Sequence, residues 1–99
     1  MAIPFAEAPS PYGNFTALNV TAATVIKAIP GAVITVHILV AGSAAGAIYD
    51  SVSLAGNSVA NQVCIIPNAL GPPISVSFPC LNGIVVAPGA GQAVSVSYS

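Results

Sequence analysis

An all-β fold, an antiparallel β-sandwich of jelly-roll type with about eight short strands, is the class that this 99-residue sequence predicts. Three observations carry the expectation. Short runs rich in Val, Ile, Thr, Phe and Tyr recur along the chain, and such side chains suit a pleated, half-buried surface. Gly, Pro and Asn punctuate these runs every ~8 to 12 residues, the spacing of a sandwich or small barrel. No stretch keeps the 3.6-residue apolar period of an amphipathic helix. The length suits one domain with one core, divided into an extended Pro-rich N-terminal arm over residues 1–13 and a sandwich over residues 14–99.

The arm contains Pro4, Pro9 and Pro11 and has no periodicity, which predicts an extended segment and not a first strand. Its apolar residues Ile3, Phe5 and Tyr12 are the candidate partner-binding residues, anchors by which it would lie on a neighbouring subunit or a larger surface. The alternative is a tail that tucks against its own domain. Residues 15–20 and 23–28 read as two short strands. Pro30-Gly31 predicts a turn in which Pro sets φ and Gly accepts a positive one. In the strand expected at 32–41, Ile34, Val36, Ile38 and Val40 share one face and Val33, Thr35, His37 and Leu39 the other. Two largely apolar faces suit a central strand of a covered sheet. The small-residue turn 42–46 leads to a fourth strand at 47–52, a loop at 55–58 and a fifth strand at 62–66. Pro67 and Gly71-Pro72-Pro73 stop that strand, because proline cannot continue a ladder.

Residues 74–99 read as a β-meander. Asn82-Gly83 between apolar runs predicts a type I′ hairpin, since both residues tolerate positive φ, with Ile84 answering Leu81 across the turn. Ile74, Val76, Phe78 and Cys80 alternate with Ser75 and Ser77, and Pro79 marks an edge or a bulge. In the last strand Val94, Val96 and Tyr98 alternate with serines, predicting an apolar inner face and an outer face of small hydroxyls.

Charged residues form only 3% of the chain and hydrophobic ones 56%, against about 25% charged in ordinary globular proteins. Mean hydropathy is +0.92. With a net charge of −1, a free monomer has almost no electrostatic protection against self-association, so a homo-oligomer, trimer or dimer, is expected. Nucleic acid is excluded as a strong electrostatic partner, because phosphate neutralisation needs several cations and Lys27 is the single one. An anionic membrane is disfavoured for the same reason. The uncharged stretch 28–49 is long enough to span a bilayer as a helix, but its Gly residues and β-branched centre favour strands. No basic, apolar leader precedes the prolines, so synthesis in the cytoplasm is the expectation.

Few side chains offer chemistry. His37, the single histidine, is expected to be a packed or interface residue on its mostly apolar strand. Glu7 and Asp50 are the carboxylates, and a dyad would need the arm to fold back over the fourth strand. Lys27 and Asp50 would pair or be solvated separately. Cys64 and Cys80 would bond if their strands were neighbours, but reduced and buried thiols are the expectation. No ligand spacing supports a zinc site. No catalytic residue, metal or cofactor is therefore assigned, and an enzyme is not expected.

The strings NVTAATVIKAIPG, AGSAAGAIYDS, ANQVCIIPN and FPCLNGIVVAPGAGQAVSVSYS resemble small β-sandwich virion proteins of tailed bacteriophages. The recurring signature in that group is matched by Asn82, Gly83, Ile84, Val86, Pro88, Gly89 and Gly91. The resemblance implies a capsid decoration or cement protein, made in the host cytoplasm, that sits on the outer surface of the virion head and bridges copies of the major capsid protein. It implies no catalytic residues. The low charge departs from many such proteins, which are ordinary soluble oligomers. A fibre, collar or tail accessory module and a glycan-binding host-recognition module are the alternatives.

Overall fold

The computed structural model describes residues 7–9, 15–56 and 58–99. Nine strands form among them: β1 (Glu7–Pro9), β2 (Phe15–Val20), β3 (Thr24–Lys27), β4 (Gly31–Val40), β5 (Gly46–Tyr49), β6 (Gln62–Ile66), β7 (Ile74–Cys80), β8 (Ile84–Ala87) and β9 (Ala93–Tyr98). They make a five-stranded sheet in the order β1-β2-β9-β4-β7 and a four-stranded sheet in the order β3-β8-β5-β6. Every pairing is antiparallel.

The pairings β2 with β9, β3 with β8, β4 with β7 and β5 with β6 are those of a long antiparallel ribbon folded at its middle and rolled up. That is a jelly roll of eight strands, with β1 added to the free side of β2. Among the described residues no helix is long and apolar enough to cross a membrane. The segment between β5 and β6, expected as a plain loop, contains two single-turn 3-10 helices, Leu54–Gly56 and Val59–Asn61.

The core lies between the sheets. Ala17 and Val20 of β2, Val33, Val36 and Ile38 of β4, and Val94, Val96 and Tyr98 of β9 face Ile26, Ile48, Ile66, Ile84 and Val86 of the other sheet. Phe15 stacks on Tyr98, with ring centroids 5.8 Å apart. The last strand behaves as its alternation predicts: Val94, Val96 and Tyr98 are buried while Ser95 and Ser97 lie outward and half-buried.

Several local expectations are corrected. Residues 74–99 are not a meander, because β7 belongs to the five-stranded sheet, β8 to the four-stranded one and β9 to the first again. Asn82-Gly83 therefore crosses between sheets and makes no hairpin; neither residue has a positive φ, and neither does Gly31. The turn residues signal a reversal of direction, but a change of sheet requires one too. In β4 the pairing with β9 shifts between Val33 and Thr35, so Val33 joins Val36 and Ile38 on the inner face. Strand β4 is central yet covered on one face alone, with His37 and Leu39 exposed. Strand β7 is an edge, as Pro79 predicts, and Ser77 (φ +47°) marks an irregularity after which Phe78 stands 46% exposed and outside the core. The fourth strand ends at Tyr49, and Val52 is exposed. Glu7–Pro9, expected to lie in an arm without a strand, pairs with Phe15–Ala17 in register Glu7 to Ala17; a short edge strand can hold a proline where it needs no ladder donor.

Candidate functional site

The two outer faces of the roll differ in chemistry. On the five-stranded sheet, register aligns Thr16 with Ser97, Ser97 with Thr35 and Thr35 with Ser75, a rank of four hydroxyls across β2, β9, β4 and β7. The next rank sets Ser95 opposite His37. The Ser95 hydroxyl accepts the Asn19 N–H at 3.3 Å, and Asn19 takes a left-handed φ of 54°. Thr16, Thr35, His37, Pro73, Ser95, Val96 and Ser97 line a shallow, mostly apolar hollow of about 170 Å³. His37 is thus an exposed residue among hydroxyls and not a packed one, because it alternates with the inward Val36 and Ile38 on a strand covered on one face alone.

On the four-stranded sheet, Val25, Val85 and Tyr49 form one outward rank and Ala87, Ala47 and Ile65 the next. Val85 is fully buried yet lies outside the interior cluster. These six residues are apolar apart from the Tyr49 hydroxyl, although Val85 and Ala47 are buried, whereas the opposite face mixes its hydroxyls with the exposed Leu18 and Leu39.

Each end of the roll is closed by a buried or half-buried polar side chain. At one end the Asp50 carboxylate accepts N–H bonds from Leu81 at 2.9 Å, Asn82 at 2.8 Å and Gly83 at 3.3 Å, tying the end of β5 to the β7–β8 crossover. Desolvation pushes its pKa up, but the three backbone donors outweigh it and hold the carboxyl below its ordinary value. The Asp50 N–H donates to the Asn61 carbonyl at 2.8 Å, and Asn61 Nδ2 donates back to the Asp50 carbonyl at 3.3 Å. Asp50 makes no ion pair with Lys27 in this arrangement; its oxygens serve amides instead. At the other end Gln92, 1% exposed, accepts from the Gly89 N–H at 3.0 Å and donates to the Pro67 carbonyl at 2.8 Å. Ser43 N–H donates to the Ala90 carbonyl at 2.9 Å beside it.

Both cysteines carry free thiols; Cys80 is buried and Cys64 half-buried. Burial, the Asp50 charge and Cys64 push the Cys80 thiol up to about 11, and burial raises Cys64 as well. At neutral pH neither is a thiolate nucleophile. Among the described residues no group of three or more His, Cys, Asp and Glu side chains could hold a metal ion.

Asp50 and Gln92 escape sequence reading as structural pins, because the partners of their side chains lie 25 or more residues away, apart from Gly89. The hydroxyl rank was legible in part, in the serines of β9. The partner-binding candidates Ile3, Phe5 and Tyr12 lie outside the described residues. No family model, characterised protein or solved structure matches this chain.

Proposed function

We propose that this chain is a non-enzymatic structural module that works by assembling with other subunits, its specific role being decoration of a tailed-phage head through contacts to the major capsid protein. The observation that carries the reading is the surface. A chain with 3% charged residues presents Ile29, Val40, Val52, Val59, Ile65, Leu70 and Leu81 more than half exposed. Apolar area of this kind contributes about 25 cal/mol per Å² once it is removed from water, and repeated contacts in a shell would cover it. The groups that chemistry would need are otherwise engaged or isolated: Asp50 holds three amides, both thiols are raised, and His37 stands among hydroxyls. Jelly rolls recur in viral capsid and lectin domains, which is support by analogy of fold. The phage assignment itself rests on the sequence resemblance, and its signature spans the β7–β8 and β8–β9 crossovers instead of a hairpin.

Quantitative mass spectrometry of purified particles tests it. Hundreds of copies per particle would support decoration of the shell. A few to a few dozen would move the chain to a fibre, collar or tail, and none would remove it from the virion. Deleting residues 1–6, with Ile3 and Phe5, should leave the fold intact and weaken attachment; normal attachment would refute a binding role for that segment.

A second reading has its own observation, the hollow beside His37, whose exposed lining is mostly carbon although hydroxyl-bearing residues surround it. It is small for a ligand site, and no charged residue lines it. Binding on a glycan array that His37→Ala abolishes would favour recognition over decoration.

A further inference from the structure

The two sheets leave four strand edges, at β1 and β7 in one and at β3 and β6 in the other. An edge strand presents unpaired N–H and C=O groups to any other chain, and proteins blunt such edges with proline, charge, bulges or brevity. Three of the four are blunted. Strand β1 has three residues and ends at Pro9. Strand β7 carries Pro79 and the positive φ of Ser77. Strand β3 has four residues, a register shift between Val25 and Lys27, and the Lys27 charge.

Strand β6, Gln-Val-Cys-Ile-Ile, has no proline and no charge. Its register irregularity falls early, opposite Ile48 and Tyr49, so Cys64, Ile65 and Ile66 continue in regular pairing with β5. No hydrogen bond among the described residues reaches the backbone of 63–66 from any element but β5. Exposed apolar side chains accompany the strand: Ile65 on it is 61% exposed, Val59 just before it 86% and Leu70 just after it 65%.

We propose that the β6 edge is the site where a second copy of this chain adds its own β6, antiparallel about a two-fold axis, joining two four-stranded sheets into one of eight. The second copy is the fitting occupant because the edge is self-complementary. Antiparallel pairing of an uncharged strand with itself opposes no like charges, supplies each free donor with an acceptor, and brings the Ile65 side chains of both copies onto one apolar face. Closed two-fold pairing is also the commonest way for identical chains to associate, and strand addition is an established recognition mode. The pairing rests on the assembly reading above by supplying its oligomer.

Sedimentation velocity on the purified chain, over a concentration series reaching roughly 1 mM to register even weak association, tests it alongside amide hydrogen exchange. The expected result is a concentration-dependent dimer with protection of those amides of 63–66 that face away from β5. Ile65→Lys should abolish the dimer and deprotect those amides, while Ile29→Lys, equally exposed but next to β3, should leave the dimer unchanged. A wild-type chain that stays monomeric throughout would overturn the proposal. So would an oligomer in which the amides of 63–66 that face away from β5 exchange freely, a readout that needs no variant to fold. A β6 dimer that never attaches to particles would sink only the decoration role, whereas particle attachment by a monomer would sink only the pairing.

Discussion

At the residue scale, Asp50 and Gln92 show how a chain nearly free of charge uses its few strong polar groups. Each satisfies backbone groups at a crossover where ladder partners run out, one at each end of the roll. Replacing Asp50 by Ala should cost about 1–2 kcal/mol, the scale of a lost capping interaction, measurable by chemical denaturation. Because the folded carboxyl is held below its unfolded value, its contribution is complete above the unfolded pKa and disappears as pH falls through the lowered folded one. Asp50→Asn should therefore flatten the loss of stability in the acid range; an unchanged acid limb would show that Asp50 does not pin the crossover. Gln92→Leu strands the Pro67 carbonyl and the Gly89 N–H, and should lower stability by roughly 2–3 kcal/mol. At Gly83 an added Cβ would come within 2.6 Å of the Lys27 and Ser51 carbonyl oxygens. Gly83→Ala should thus destabilise by about 1–3 kcal/mol; a neutral result would mean that the crossover yields.

At the scale of elements, β9 is the strand whose two faces are most plainly separated. Val96, fully buried between β2 and β4, packs into the core, and Ser97 beside it looks outward. Val96→Asp should prevent folding, since a buried carboxylate there would have no partner. Ser97→Val should change stability by no more than about 0.5 kcal/mol, and circular dichroism with thermal melts separates the two outcomes. The alternation that predicts this was fully legible in β9, and the bounds 15–20 and 62–66 match β2 and β6. Strand β4 was less legible, because the shift near Ile34 exchanges its faces after Val33. A one-residue slip reverses inward and outward positions, and no residue type at Ile34 announces it.

For the whole molecule, the roll makes the chain's first long strand pair with its last. Contacts of such sequence separation are costly in loop-closure entropy, so refolding should fall in the millisecond-to-second range typical of β-sandwiches. Stopped-flow refolding on the microsecond scale would contradict that. Removing residues 93–99 should abolish folding, because β9 forms the centre of the five-stranded sheet and lies between β2 and β4. The roll also gathers hydroxyls from four strands into one rank across the five-stranded sheet, a grouping that no single strand displays.

The sequence by itself determined the class of fold, most strand positions, the edge character marked by Pro79 and the scarcity of charge on which the assembly proposal rests. These are short-range properties, set by side-chain alternation, turn residues and composition. Only the tertiary structure decided which turns cross between sheets, which face His37 occupies and which amides Asp50 and Gln92 hold. Asn82-Gly83 makes the difference plain: its residues promise a reversal, but whether the next strand stays in the sheet depends on β3 and β5 receiving β8 on one side and on Asp50, more than 30 residues earlier, holding the crossover.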